Sequence, residues 1–185
     1  TSMKNLILLG LSCLVIVTAC NEKIAVSKQE ASAFRVLGYL PSSRDWGAGL
    51  DAVDFAKITD LNLAFINPDS TGHFADNEMY YKIIQKAHDH RVRVFLSIGG
   101  GSPPAHLEHL MKPEKRGKLV TGLVDIAGKY GFDGIDVDIE NDLINADYPP
   151  LVSELGKALK SKNIMMTAAL ASWNSHLIHD STCLL

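Results

Sequence analysis

Four acidic side chains at fixed spacing are the residues of this sequence best suited to acid–base chemistry. They lie two or three residues apart and are Asp133, Asp136, Asp138 and Glu140. Successive side chains of a strand point to opposite faces. The last three acids would therefore share one face, and Ile135, Val137 and Ile139 the other. Charges on a buried face need partners or must become neutral, and sequences break this rule mostly at functional sites.

Glu140 is the acid best placed for proton transfer. It comes last in the run, at the C-terminal end of the predicted strand, and the active sites of parallel barrels open at that end. Neighbouring acids on one face lie about 6.6 Å apart, which is close enough for repulsion to raise the pKa of at least one of them. A carboxyl kept protonated by such neighbours can act as a general acid near neutral pH.

Other interpretations of these residues stay open. A half-exposed antiparallel strand would carry the acids on a solvated face, but the helical patterns on both sides of the strand disfavour it. Spaced carboxylates also bind calcium or magnesium, although the glycine and ligand spacing of an EF-hand loop is absent. His106 and His109 have the spacing of a zinc pair without a third ligand nearby, and we therefore expect no bound metal.

Five short apolar runs predict the strands that position the acids, because each run ends at a turn or a polar residue. They are 34–40, 61–66, 92–98, 134–139 and 164–170.

The gaps between these strands carry the apolar periodicity of helices. Asp76 is expected to cap the helix that precedes the third strand. The next helix should begin near Pro113 and end at Gly131. A third helix is expected over 151–159, before the last strand.

Strands that alternate with helices predict a parallel sheet. A doubly wound open sheet and a closed (β/α)8 barrel both fit that order. The strands recur every 32 residues or so, and eight such repeats match the roughly 250 residues of a typical barrel. We therefore expect an α/β fold of the (β/α)8 TIM-barrel type. The barrel should be incomplete, because 185 residues hold only about five βα units at the size of a typical barrel.

The N-terminal residues differ in character from the rest. Residues 6–17 are almost purely apolar, and such a run is too short to span a bilayer comfortably but fits a secretory signal. The sequence VTAC at 17–20 resembles a bacterial lipobox, whose cysteine, here Cys20, is lipidated. We expect 1–20 to be a lipoprotein signal peptide that anchors the exported protein in a cell-envelope membrane, and 21–33 to be a flexible tether. An ordinary signal peptide is the alternative.

Composition and charge limit the classes of partner. The net charge is -3 and Lys and Arg form no block, which argues against a nucleic-acid surface. Of the three cysteines, only Cys183 lies in the predicted domain, 34–185. An exported domain with one thiol has no disulfide framework, and it must be held together by its core.

The acidic run also reproduces a known signature. The DxxDxDxE pattern of glycoside hydrolase family 18, the chitinases and endo-β-N-acetylglucosaminidases, is matched by Asp133, Asp136, Asp138 and Glu140. The SxGG pattern of that family recurs at the end of the third strand in Ser97, Gly99 and Gly100. Residues 38–39 and 63–68 are similar to the first two strands of the family. From about Phe34 to Ser181 the chain therefore resembles the N-terminal part of a family-18 barrel.

The resemblance implies retaining, substrate-assisted hydrolysis of β-1,4 bonds next to N-acetylglucosamine, as in chitin or chitooligosaccharides, without a cofactor. Glu140 would protonate the leaving oxygen and later act as base toward water. Asp138 would orient the acetamido N–H of the substrate. Asp136 would lie deeper and share a proton or hydrogen bond with Asp138. Further candidates for contact with the sugar are Tyr39, Phe65 and Trp173.

Two alternative functions and one alternative substrate stay open. A non-catalytic carbohydrate-binding relative usually lacks the acid, whereas Glu140 is present here. Later strands of the family would supply a Tyr and a Trp that hold the sugar, and neither can be matched in this sequence. An inactive truncated remnant is therefore the other alternative. The N-glycan core is the alternative to chitin as substrate.

Overall fold

The computed structural model of the protein describes residues 34–42 and 45–170. The predicted signal peptide and tether, the lipidation site Cys20 and the candidate sugar contact Trp173 lie outside these residues and stay predictions. Among the described residues, no helix is long and apolar enough to cross a membrane.

Five parallel strands form one sheet. They are β1 (Leu37–Pro41), β2 (Asp60–Ala64), β3 (Arg93–Gly99), β4 (Gly134–Asp138) and β5 (Met165–Ala168). Each strand pairs with its neighbours in sequence, in the order β1-β2-β3-β4-β5. This is the strand order of a (β/α)8 barrel, whereas a doubly wound sheet reverses its order at a switch point. The predicted fold class is confirmed, and the described residues form a five-stranded part of a barrel.

Helices connect the strands in chain order. They are α1 (Trp46–Asp51), α2 (Met79–Asp89), α3 (His106–Met111), α4 (Pro113–Tyr130) and α5 (Tyr148–Ser161), with short 3-10 helices at Phe55–Lys57 and Asn141–Leu143. Both predicted ends of α4 are confirmed, since Gly131 follows it with a left-handed φ of 81°. The predicted cap of α2 is wrong, because Asp76 instead accepts hydrogen bonds from Lys129 and Tyr130 of α4.

The two faces of the sheet have different compositions. The outward face is apolar and packs against the helices, as Ile135 and Val137 of β4 do. The inward face carries the buried polar side chains of the described residues, which are Asp60, Asn62, Ser97, Asp136 and Asp138. Parallel pairing places Ser97, Asp136 and Thr167 in one row across β3, β4 and β5. The apolar face therefore holds the helices, and the polar face is free to carry a site.

A buried carboxylate ties the N-terminal end of the sheet together. The Asp60 side chain is fully buried, and its two oxygens accept from Arg35 Nε at 2.9 Å and from Arg93 Nε at 2.7 Å. Burial alone would raise the pKa of Asp60, but hydrogen bonds from Arg35, Thr59 and Arg93 outweigh it and hold the pKa below its ordinary value. This cluster joins β2 and β3 to Arg35, which lies two residues before β1, at the end opposite Glu140.

Candidate active site

Three acids form a column on the inner face of β4. Asp136 and Asp138 lie within the strand, and they are 2% and 7% exposed. Glu140 follows the strand by two residues in extended backbone, which continues the alternation of faces, and its side chain is partly exposed. The column therefore runs from a buried acid to an accessible one at the C-terminal end of the sheet, as the strand periodicity predicts.

Three hydroxyl groups surround the carboxylate of Asp136. Ser97 Oγ donates to Oδ2 over 2.7 Å, and the Tyr39 hydroxyl donates to the same oxygen over 3.1 Å. Thr167 Oγ1 donates to Oδ1 over 2.7 Å. The hydrogen bond expected between Asp136 and Asp138 is not found among the described residues, where the two carboxyls interact through their charges.

The middle acid of the column, Asp138, has a raised pKa. Burial raises the pKa of Asp138 to about 6, and the negative charges of Asp136 and Glu140 add to that effect. A hydrogen bond to Glu140 also favours the protonated form of Asp138. Repulsion among the acids thus acts as predicted, but the raised pKa belongs to the neighbour of Glu140. The acid with the raised pKa therefore lies one hydrogen bond away from Glu140.

Two glycines fix the backbone beside the column. Gly99 and Gly100 have φ angles of 107° and 89°, which favour glycine. The Gly100 amide donates to the Asp138 carbonyl over 2.7 Å, and a Cβ on Gly99 would collide with that same carbonyl. A Cβ on Gly100 would collide with the Phe65 ring. The SxGG residues therefore hold the strand that carries Asp138.

The two described candidates for sugar contact occupy different positions. Tyr39 is 45% exposed on the inner face of β1, and its hydroxyl is used by Asp136. Burial and the charge of Asp136 raise the pKa of the Tyr39 hydroxyl, which keeps it a donor. The partly buried ring of Phe65 lies against Gly100, and the peptide bond between Ala64 and Phe65 is cis. Tyr39 therefore borders the acids, whereas Phe65 supports the glycine turn.

The first acid of the signature, Asp133, does not join the column. It precedes β4 at the opposite end of the strand, where its Oδ2 accepts from the Val94 amide over 2.8 Å. The same oxygen lies 2.7 Å from His88 Nε2. These contacts connect β4 to β3 and α2, and Asp133 therefore supports the strand without facing the candidate site.

Comparison with known protein families identifies the family to which the chain with this acidic column belongs. A sequence model of the family "Glycosyl hydrolases family 18" matches residues 35–182, which is most of the chain. The chain belongs to glycosyl hydrolase family 18. The three acids of the column, Ser97 and the two glycines all lie within the matched residues of this family-18 chain.

Curated relatives of this family-18 chain carry chitinase names. A chitinase-like effector from Moniliophthora roreri is 29% identical over an alignment of 187 positions. The alignment covers 92% of this chain and 43% of the effector. A class V chitinase from Medicago truncatula is 30% identical over 127 residues, which cover 62% of this chain and 33% of the chitinase. The chain therefore spans less than half the length of either relative.

A solved structure shows the same partial correspondence. The family-18 chitinase from the chitin utilization locus of Flavobacterium johnsoniae is 25% identical, with a TM-score of 0.66. The likeness covers 78% of this family-18 chain and 51% of the solved chitinase. This family-18 chain, with its five described strands, therefore corresponds to about half of the solved chitinase.

The sequence does not single out two side chains that the structure places at this family-18 site. Thr167 donates to Asp136 from β5, and Asn67 makes two hydrogen bonds to the backbone of Gly99, at 2.9 and 3.1 Å. One weak signal exists for each. Thr167 is the lone hydroxyl in the apolar run 164–170, and Asn67 directly follows the run that forms the second strand.

Concave surfaces elsewhere do not coincide with the acids. A cavity of about 570 Å³ lies between β5 and α5, and one of about 520 Å³ lies at the C-terminal end of α4. Of the residues that contact the column, Thr167 also lines the first cavity. The side chain of Trp46 is buried, and its ring centroid lies 5.3 Å from that of Tyr80. The acids and their hydrogen bonds, rather than cavity size, therefore define the candidate site.

Proposed function

We propose that this family-18 chain hydrolyses β-1,4 bonds in N-acetylglucosamine-containing glycans, chitin or chitooligosaccharides, with Glu140 as general acid and base. One observation carries the proposal. Asp138, whose pKa is raised to about 6, is hydrogen-bonded to the accessible acid Glu140 at the open end of the sheet. A general acid works best when its proton is available near the operating pH.

The chemistry assigned to these residues needs no second carboxylate across the cleft. Glu140 gives its proton to the glycosidic oxygen as the bond from that oxygen to the anomeric carbon breaks. The acetamido oxygen of the same sugar bonds to the anomeric carbon, and a cyclic oxazolinium intermediate forms. Water then attacks the anomeric carbon, the bond from that carbon to the acetamido oxygen breaks, and the water loses a proton to Glu140. Two displacements at one carbon retain its configuration.

Asp138 and Asp136 support the acetamido group in this proposal. Asp138 passes its own proton to Glu140 and then accepts a hydrogen bond from the acetamido N–H. Negative charge at Asp138 then offsets the positive charge that develops on the oxazolinium. Asp136, buried among three hydroxyl donors, lies beneath it. Charge placed in advance around a developing charge is an effective form of transition-state stabilisation.

A second candidate function is carbohydrate binding without hydrolysis. The relative from Moniliophthora roreri is called a chitinase-like effector, and this chain spans less than half of that relative. A binding protein of this kind would keep the inner face and Tyr39 but would not turn over substrate. The N-glycan core remains the alternative glycan for either function.

The dependence of hydrolysis on the acetamido group tests the proposal. The substrates are a β-1,4 tetramer of N-acetylglucosamine and, as the matched control, the glucosamine tetramer that lacks only the acetyl groups. We expect cleavage of the acetylated tetramer alone, with the β-anomer as the first product in proton NMR. Equal cleavage of both tetramers would contradict substrate assistance. Binding of the acetylated tetramer without cleavage would favour the second candidate function.

A further inference from the structure

The three hydroxyl donors of Asp136 come from three different strands. Tyr39 lies on β1, Ser97 on β3 and Thr167 on β5, and the carboxylate itself lies on β4. Tyr39 and Ser97 both donate to Oδ2. Within the part of the chain that the structure describes, Thr167 is the sole donor to Oδ1. Each oxygen of Asp136 therefore has a donor, and the Oδ1 side depends on one hydroxyl.

Asp136 is a nearly buried carboxylate without a cationic partner among the described residues. It is 2% exposed, and the ion pairs found at 34–42 and 45–170 do not include it. Burial of a carboxylate favours its protonated form, whereas hydrogen bonds donated to it favour the anion. The hydroxyls are therefore the groups that can keep Asp136 ionised.

The titratable groups around the column are few. From β4 itself Asp136, Asp138 and Glu140 face one another, and β1 contributes the Tyr39 hydroxyl. In the row that contains Asp136, the residues of β2, β3 and β5 are uncharged, and they are Ala64, Ser97 and Thr167. Among the described residues, the titratable groups that face Asp136 are therefore the Tyr39 hydroxyl and the other acids of the column.

We propose that Thr167 is a positioning residue of this site, whose hydroxyl holds Asp136 as the anion and thereby keeps the shared proton on Asp138, beside Glu140. This role deepens the proposed function and rests on it for its catalytic meaning. If Oδ1 of Asp136 lost its donor, Asp136 would compete for the proton. The proton would then lie one acid further from Glu140, where the leaving group cannot receive it.

The alternative is that Thr167 serves only as a strand residue. Thr167 is β-branched, and such residues pack well in strands whatever their hydroxyl does. Thr167→Val keeps the shape and the branching and removes the hydroxyl. Thr167→Ser keeps the hydroxyl and removes the methyl group. A strand role predicts that the serine variant is the more perturbed, whereas the proposed role predicts that the valine variant is.

The test follows the proton itself in the full chain. With aspartate labelled by 13C at the side-chain carboxyl, NMR titration assigns the transition near pH 6 to Asp138 or Asp136 separately. In the wild type we expect this transition on Asp138. In Thr167→Val the ratio of protonated Asp138 to protonated Asp136 should fall about tenfold or more, the value of a hydrogen bond to a charged group. In Thr167→Ser it should stay within about twofold of the wild type, because the donor to Oδ1 remains.

Thr121→Val on α4 is the matched control, since the Thr121 hydroxyl bonds only the Gly117 carbonyl among the described contacts. It should leave the titration unchanged. A wild-type transition on Asp136 would overturn the proposal without any variant, even if Thr167→Val failed to fold. A proton ratio in Thr167→Val equal to that of the wild type would overturn it as well. The titration needs no substrate, and its result is therefore separate from success or failure of the hydrolysis proposed above.

Discussion

At the scale of single residues, the proposed chemistry depends on the charge of Asp138. This side chain is 7% exposed and has acids below and above it. Its pKa is about 6 in the fold, against an ordinary value of 3.8. Between these pH values the folded state holds a proton that the unfolded state has lost. Stability is therefore lost as pH rises from about 4 through about 6.

The first prediction concerns Asp138→Asn. Because the amide cannot ionise, the variant should have a larger free energy of unfolding than the wild type at pH 7.5, by about 1–2 kcal/mol. At pH 4 the difference should disappear, since the wild-type carboxyl is then protonated. Urea unfolding at both pH values measures the effect, with Asp125→Asn on the exposed side of α4 as the control. A variant that is less stable at pH 7.5 would contradict this account.

At the scale of elements, the glycine turn after β3 fixes the position of the acidic strand. Gly100 has a φ of 89°, and its amide donates a hydrogen bond to the backbone carbonyl of Asp138. The Phe65 ring leaves no room for a Cβ on Gly100. Backbone conformation and packing therefore both require glycine at this position. Gly117 of α4 has open space around its Cβ position instead.

The second prediction compares alanine at these two glycines. Gly100→Ala should lower the free energy of unfolding by about 2–4 kcal/mol, because left-handed backbone and overpacking each destabilise. Gly117→Ala should raise it by about 0.5–1 kcal/mol, because alanine favours helix. Chemical denaturation of both variants measures the contrast. Gly100→Ala as stable as the wild type would show that the turn does not constrain the strand.

Local patterns predict some of these elements and miss others for a physical reason. The ends of α4 follow from Pro113 and Gly131, because a cap depends on residues next to it. Asp76 looks like a helix cap in sequence, yet its carboxylate binds Lys129 and Tyr130, 53 and 54 residues later. Partners that distant become neighbours only after the helices pack, and no local spacing reveals them.

In the candidate site too, local sequence predicts some features, and others depend on residues distant in sequence. Strand alternation predicts that Asp136, Asp138 and Glu140 share a face, because one strand carries them all. The raised pKa of Asp138 depends on burial and on its acidic neighbours, and the hydroxyl donors of Asp136 come from other strands. Thr167 reaches Asp136 from β5, 31 residues away, and sequence spacing gives only the lone hydroxyl in an apolar run as a signal.

At the scale of the whole molecule, two polar clusters lie at opposite ends of the same sheet. The acidic column occupies the C-terminal end, and Asp60 with Arg35 and Arg93 occupies the N-terminal end. The pKa of Asp60 is lowered, and the stability that this cluster contributes is present above the ordinary pKa of 3.8 and lost as pH falls through the folded pKa. A change at Asp60 therefore alters stability at the end of the sheet opposite the acidic column.

The third prediction concerns this N-terminal cluster. Asp60→Asn should lower the free energy of unfolding by about 1.5–3 kcal/mol at pH 7, because it removes the charged acceptor of two arginine hydrogen bonds, and the arginines are exposed enough for water to replace part of that loss. Asp51→Asn removes an exposed partner of Lys86 and should change it by less than about 1 kcal/mol. Thermal and urea unfolding compare the two variants. Equal effects would mean that the buried cluster does not hold the strands together.

The rate of hydrolysis by the Glu140→Gln variant tests the central claim most directly. This substitution removes the proposed proton donor and keeps the shape of the side chain. The matched variant is Glu154→Gln, which makes the same change on α5, where Glu154 pairs with Arg116. The measurement is the initial rate on a chromogenic N-acetylglucosamine oligomer, with binding of the oligomer measured alongside. We predict that Glu140→Gln binds the oligomer but hydrolyses it about 10²-fold more slowly or worse, while Glu154→Gln matches the wild type. A Glu140→Gln rate within a few-fold of the wild type would contradict the account.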